Sequence, residues 1–72
     1  MAADWGSAAW FREARETLGL SQTAIAVFLG YSDGKQVSRL ERGIHKHRPV
    51  AQALLMDAYL SGYRPNGWPD GA

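Results

Sequence analysis

The chain has 72 residues, no cysteine and a formal net charge of +1, with 46% hydrophobic and 21% charged residues. This composition fits one small folded domain and argues against global disorder. A chain this short buries only about 60% of the surface that its unfolded form exposes. Because it has no cysteine, it has neither a disulfide nor a cysteine–histidine metal cluster to compensate. Helix packing or oligomerisation is therefore expected to complete the core.

Membrane and export signals are not found in the sequence. Its longest apolar runs fall short of the ~20 residues of a transmembrane helix. The first ten residues, MAADWGSAAW, lack the basic segment followed by an apolar one that marks a signal peptide. We therefore expect a cytoplasmic protein with no membrane partner.

Positive charge is concentrated in one part of the chain. Residues 35–48 carry five basic side chains and one acid, a local charge of +4, whereas the rest carries three basic side chains and six acids, a charge of −3. A local basic excess favours a polyanionic partner. Charge alone fits a solvated basic helix end equally well.

The first two predicted helices have clear start and stop signals. Ser7 is a cap for a helix that runs to about Leu18, and Gly19 stops it. Ser21 is the cap of a short helix over residues 22–29, which ends at Gly30.

Two further helices follow a turn at residues 31–34, in which Asp33-Gly34 is the strongest turn dipeptide. The third helix is predicted from about Lys35 to Arg42. The fourth has Pro49 in its first turn, ends near Ser61, and is apolar almost all round, which is typical of a helix that packs on two sides. The prediction is an all-α fold with a short N-terminal arm (residues 1–6), one helical domain (7–62) and a Pro/Gly-rich tail (63–72).

The segment LSQTAIAVFLGYSDGKQVSRLERG, residues 20–43, joins a capped short helix, a glycine turn and a helix with a polar outer face. A helix-turn-helix needs this arrangement, because its second helix enters the major groove of DNA. The motifs Leu18-Gly19-Leu20-Ser21-Gln22 and Val37-Ser38-Arg39-Leu40-Glu41-Arg42-Gly43 resemble the XRE, or Cro/repressor, family of helix-turn-helix regulators. The resemblance covers about residues 11–60 and implies a compact, lambda-repressor-like domain of four to five helices.

This resemblance implies roles for individual residues. The base-reading side chains would be Lys35, Gln36 and Arg39, and Arg15 with Glu41 would form a buried ion pair that ties the first helix to the third. Arginine or lysine suits guanine and glutamine suits adenine in the major groove. The phosphate contacts would come from Gln22, Ser38, Arg42, Lys46 and Arg48.

A second copy of the chain is the expected protein partner. A chain this small cannot bury all its apolar residues, so the dimer interface candidates are Leu55, Met56, Tyr59, Leu60, Tyr63 and Trp68. Val27 and Phe28 are also unexpectedly apolar and call for a cover, either the Trp68 tail or a second subunit. Trp5 and Trp10 either cover the open edge of the core or join this interface.

Three functions are weighed. The first is a homodimeric repressor that binds an inverted-repeat operator in double-stranded DNA. The tail around Gly62-Tyr63-Arg64-Pro65 is similar to endings in phage-encoded regulators such as the anti-CRISPR-associated autorepressors, which favours self-regulation and a phage or mobile-element origin. The second is an antitoxin or adaptor that works through an exposed apolar face.

An enzyme is the weakest of the three functions, because the sequence holds no recognisable nucleophile set, phosphate loop or carboxylate pair. No cofactor, metal or small-molecule ligand is expected. His45 and His47 alone make a poor metal site and are interpreted as surface residues.

Overall fold

The computed structural model describes residues 3–44 and 49–69 of the chain. Within these ranges it contains four α-helices and no strand: α1 (Ala8–Leu18), α2 (Gln22–Leu29), α3 (Gly34–Glu41) and α4 (Val50–Leu60). The predicted all-α class is confirmed. No helix among these residues is long and apolar enough to cross a membrane.

The helix boundaries of α1 and α2 are set by short-range hydrogen bonds. The Ser7 hydroxyl accepts a bond from the Trp10 amide, and the Ser21 hydroxyl accepts one from the Ala24 amide, each at 3.1 Å. Such bonds satisfy amides that have no partner inside the helix. At the end of α2, Gly30 adopts a left-handed conformation with φ 81°, which residues with a side chain rarely adopt. The chain can therefore turn sharply from α2 towards α3.

The third helix begins one residue earlier than the sequence predicts. A carboxylate oxygen of Asp33 accepts hydrogen bonds from the amides of Lys35 at 3.0 Å and Gln36 at 3.3 Å. Asp33 is therefore the N-cap, and Gly34 is the first residue of α3 rather than part of a free turn. The same Asp-Gly pair fits a turn or a capped helix start, and here the cap is formed.

All four helices contribute to one hydrophobic core. Its buried side chains come mainly from α1 and α2, together with Val37 and Leu40 of α3 and three residues of α4. The fully buried members with the largest side chains are Phe11, Ile25, Leu29, Met56 and Val37. Because α3 has two core anchors, its opposite face is left exposed.

The C-terminal tail folds back onto the helices. The Trp68 ring lies 4.9 Å from the Phe28 ring and 5.2 Å from the Tyr59 ring, measured between centroids. The Tyr59 hydroxyl donates a hydrogen bond to the Phe28 carbonyl, and Arg64 lies over the Trp68 ring at 4.7 Å. The tail thus provides the cover expected for Phe28, while Val27 remains 72% exposed.

Two of the proposed dimer contacts are core residues instead. Met56 and Tyr59 are only 1% and 3% exposed within a single chain, so their assignment to a dimer interface is wrong. Leu60 and Trp68 are half-buried against the same core, whereas Leu55 and Tyr63 are exposed. The error has a physical reason: α4 is apolar almost all round, so its sequence does not indicate which stripe faces inward.

The segment before α1 is packed rather than free. The Trp5 indole nitrogen donates a hydrogen bond of 2.7 Å to the Asp57 carboxylate on α4. The Trp5 ring lies 5.9 Å from that of Trp10, which is buried and lies 5.1 Å from Phe11. Of the two roles considered for Trp5 and Trp10, this geometry favours covering the edge of the core.

Candidate nucleic-acid interface

The exposed face of α3 is strongly basic. Val37 and Leu40 anchor the helix in the core, and Lys35, Gln36 and Arg39 are exposed on the side that faces solvent. Because successive residues of a helix are about 100° apart, Lys35, Arg39 and Arg42 fall within about 60° of one another. We call these three side chains, opposite the two core anchors, the cationic strip.

Arg42 lies at the end of α3, where the sequence predicts it. It is the C-cap of the helix and lies on the cationic strip, and its contact with phosphate stays a prediction. Its side-chain Nε donates a hydrogen bond of 3.3 Å to the Ser38 carbonyl. The strip therefore extends over the full length of the helix.

Gln36 lies on one flank of α3. Its amide nitrogen donates a 2.7 Å hydrogen bond to the Ser32 hydroxyl in the preceding turn. Together with Arg39, Tyr31 and Ile44 it lines a cleft of about 270 Å³. Burial raises the pKa of the Tyr31 hydroxyl.

An ion pair holds α3 against α1. The Arg15 Nε lies 2.6 Å from one Glu41 oxygen and its Nη2 lies 3.1 Å from the other, while Nη1 donates to the Leu20 carbonyl at 3.0 Å. The side chains of Arg15 and Glu41 are 16% and 5% exposed. The hydrogen bond to Glu41 is the main reason that the pKa of Arg15 is raised. Since Glu41 and Leu20 engage all three guanidinium nitrogens, the role of Arg15 here is structural.

Gln22 joins this ion pair from the start of α2. Its amide nitrogen donates a hydrogen bond of 3.2 Å to Glu41, so one side chain links α2 to α3. Ser38 is half-buried next to it, and both residues line two neighbouring clefts on the second flank of α3. The structure places the two predicted phosphate ligands together; the phosphate contact itself stays a prediction.

Helices α2 and α3 approach each other closely at Gly34. A Cβ atom at this position would lie 2.9 Å from the Thr23 hydroxyl oxygen and 3.1 Å from the Thr23 amide nitrogen. Real side chains do not tolerate such distances without a shift, so glycine allows the start of α3 to lie against the start of α2. The cationic strip is thereby held at a fixed position relative to Gln22.

Two residues at this face, Thr23 and Arg12, were not predicted from the sequence. Thr23 lines the cleft beside Lys35, and Arg12 lines the next cleft, beside Arg42. The only signal for Arg12 was its spacing of three residues from Arg15, which places both on one face of α1. Lys46 and Arg48 lie outside the described residues.

Two helices that meet at a glycine turn, with a basic exposed face on the second, define a helix-turn-helix nucleic-acid-binding domain. The comparison with protein families agrees: a family model described as a helix-turn-helix domain matches residues 8–61, three quarters of the chain. The chain belongs to this family, which is typical of XRE-like regulators and indicates a DNA-binding regulator. Comparisons with curated proteins and with solved structures found no match.

Proposed function

We propose that the protein is a sequence-specific repressor that binds double-stranded DNA as a homodimer, on an inverted repeat in the promoter of its own gene. The observation that carries this proposal is the cationic strip on α3, fixed against α2 by the close approach at Gly34 and against α1 by the Arg15–Glu41 pair. A helix that presents its charged face at a fixed angle suits insertion into the major groove. The proposed role is non-enzymatic, and the proposed location is the bacterial cytoplasm or nucleoid.

Base reading in this proposal belongs to the exposed residues of α3. Lys35 and Arg39 are long donors that suit the O6 and N7 acceptors of guanine, and each such contact discriminates by about 1–3 kcal/mol. Gln36 suits adenine after its side chain leaves the Ser32 hydroxyl. Gln22, Ser38 and Arg42 would contact the phosphates and fix the position of α3 in the groove.

The length of α3 supports a dimer. Eight residues at about 1.5 Å each span about 12 Å of groove, which corresponds to about three or four base pairs. Such a short site recurs far too often in a genome with roughly 10⁶–10⁹ competing positions. A second copy doubles the sequence that is read, and two-fold symmetry requires an inverted repeat with half-sites about 34–36 Å apart. A single chain measures 32 Å along its longest axis, which suits two copies side by side.

The exposed apolar residues of α4 support a particular interface. Val50 and Leu54 lie one helical turn apart and are 48% and 58% exposed, and Leu55 is 39% exposed. Asp57, the one charged residue of α4, is engaged by Trp5. An apolar patch of this kind on a small protein is typical of a contact surface. We therefore propose this patch of α4, in place of the core residues Met56 and Tyr59, as the contact between the two copies.

Self-regulation and a phage or mobile-element origin rest on the sequence of the tail alone. The adaptor or antitoxin alternative is less well supported, because Phe28 and Trp68 are packed against each other and so are less available to a partner. An adaptor also has no need of the cationic strip.

The test is a titration of the protein into a labelled duplex from the region upstream of its own gene, followed by fluorescence anisotropy, with a scrambled duplex as control. We expect binding at roughly 10⁻⁸–10⁻¹¹ M and a preference of ~10³ or more over the scrambled duplex. Arg39→Ala should lose about 5- to 150-fold of affinity per half-site of the native duplex, because it removes one base contact from each bound copy. Its affinity for the scrambled duplex should change much less.

Three outcomes are informative. A preference that depends on Arg39 supports a self-regulating repressor. Equal weak binding to both duplexes places the operator elsewhere and contradicts self-regulation, and selection from random DNA would then identify the site. A folded protein that binds neither duplex at low salt contradicts the DNA-binding proposal and favours the adaptor.

A further inference from the structure

Arg12 has a position that the predicted roles do not explain. It is exposed on α1 and lines a cleft of about 280 Å³ together with Gln22, Ser38 and Arg42. The remaining lining residues, Arg15 and Glu41, neutralise each other. Arg12 and Arg42 are not paired with an acidic residue of the cleft lining. They share the cleft with the Gln22 amide and the Ser38 hydroxyl.

The cleft continues into the neighbouring one along α3. Gln22 and Ser38 line both clefts, and the second cleft, of about 490 Å³, adds Thr23, Asp33, Gly34 and Lys35. The Asp33 carboxylate in this cleft accepts hydrogen bonds from two amides at the start of α3. The result is one groove between α3 on one side and the start of α2 with the middle of α1 on the other. It carries Lys35 near one end and Arg12 with Arg42 near the other, so its polar and cationic groups follow a line.

The partner that Arg12 has in this structure is weakly bound. Its guanidinium lies 4.0 Å from the Glu16 carboxylate, and the two side chains are 65% and 56% exposed. Exposed pairs one helical turn apart stabilise a helix by only about 0.3–0.5 kcal/mol. Arg12 can therefore exchange Glu16 for a more strongly charged anion at little cost.

We propose that this groove holds the backbone of one DNA strand, and that Arg12 binds a phosphodiester group of that strand together with Arg42. Glu16 competes with the phosphate for Arg12 and weakens binding. This inference rests on the proposed DNA-binding function and adds a contact from α1 to it. A phosphodiester fits because arginine forms paired hydrogen bonds with phosphate oxygens.

The test compares Arg12→Gln, Glu16→Gln and Arg64→Gln with the unmodified protein, by anisotropy titration into the operator duplex and a scrambled duplex at salt concentrations from 50 to 200 mM. Arg12→Gln should make the slope of log affinity against log salt shallower by about 0.9 for each bound copy, or about 1.8 for a dimer on the full operator, because each phosphate contact on duplex DNA contributes about 0.9. Its affinity should fall by the same factor on both duplexes, because phosphate contacts carry no sequence information. Glu16→Gln should raise affinity on both.

Arg64→Gln is the matched control, since it removes the same charge from a residue held over the Trp68 ring; it should leave the slope unchanged. A thermal unfolding curve for each variant checks that the fold is retained. An unchanged slope in Arg12→Gln, or a lower affinity in Glu16→Gln, would overturn the inference while the unmodified protein still binds with a steep salt dependence. Absence of DNA binding by the unmodified protein would overturn the proposed function itself.

Discussion

At the scale of single residues, the Arg15–Glu41 pair shows how a charged contact positions a binding surface. Neither residue reaches the exposed face of α3, yet their contacts connect the end of α3 to α1 and to the Leu20 carbonyl. Gln22 adds α2 to the same cluster through Glu41. The Glu41 carboxylate links three helices. Loss of its charge should therefore lower the stability of the fold rather than change which bases are preferred.

We predict that Glu41→Gln lowers the free energy of unfolding by about 3–5 kcal/mol, because it leaves the Arg15 guanidinium largely buried without its counter-charge. A domain of this size has a total stability of roughly 4–11 kcal/mol, so the variant should lose a large fraction of it. Urea denaturation followed by circular dichroism measures the change. Glu16→Gln, which affects an exposed pair, is the control and should change stability by no more than about 0.5 kcal/mol. Equal stability of the two variants would contradict a structural role for Glu41.

At the scale of helices, the sequence predicts best what depends on neighbouring residues. The helix starts at Ser7 and Ser21 and the ends at Gly19 and Gly30 follow from caps whose partners lie within a few positions. These signals could be read without knowing how the helices pack. The same is true of the inward-facing pair Val37 and Leu40, whose spacing defines the exposed face of α3.

What the sequence did not predict depends on contacts between distant segments. Met56 and Leu54 are both apolar residues of α4, and only the position of the other helices makes the first buried and the second exposed. The cleft beside Arg12 likewise forms from three helices at once. A helix surface with a single exposed arginine gives no sign of such a cleft, because solvated arginines are common on helices.

The close approach of α3 to α2 depends on Gly34. The sequence assigns this glycine to a turn and gives no indication of that packing role. Gly34 lies in the first turn of α3, where its missing side chain leaves space for the Thr23 backbone. Alanine would favour the helix by up to about 1 kcal/mol at an interior position, whereas overpacking typically costs about 1–3 kcal/mol. Because the gain in helix propensity partly offsets the cost of overpacking, alanine at Gly34 should shift the position of α3 more than it changes the free energy of unfolding.

We therefore predict that Gly34→Ala weakens binding to the operator at least tenfold while it lowers the free energy of unfolding by no more than about 2 kcal/mol. Even a displacement of a few tenths of an ångström at the start of α3 moves Lys35 and Arg39 relative to the phosphate contacts. Anisotropy titration and urea denaturation on the same sample separate the two effects. Adding Thr23→Ala removes the hydroxyl that lies 2.9 Å from the new Cβ but leaves the backbone nitrogen at 3.1 Å, so recovery should be partial. Unchanged affinity in Gly34→Ala would show that the close approach does not set the position of α3.

At the scale of the whole molecule, the chain separates a basic reading face from an apolar face on α4. The described core is covered on one side by Trp5 and on another by the Trp68 tail, so these aromatic residues complete a single domain. Exposed apolar side chains nevertheless remain on α4. A small domain that still exposes such a patch after its tail has folded back has a surface suited to a second copy.

We predict that Leu54→Glu weakens binding to a full inverted repeat but leaves binding to an isolated half-site unchanged. Leu54 is 58% exposed, so a charge there should change the stability of one chain by no more than about 0.5 kcal/mol, whereas two facing carboxylates in a dimer would repel each other. Val27→Glu is the matched control, because Val27 is 72% exposed on α2 and lies outside the proposed interface. Sedimentation equilibrium on the free proteins and anisotropy on both duplexes provide the measurements. If Leu54→Glu loses affinity for the half-site as well, the side chain supports the fold of one chain; if it binds the full repeat as tightly as the unmodified protein, the two copies meet elsewhere.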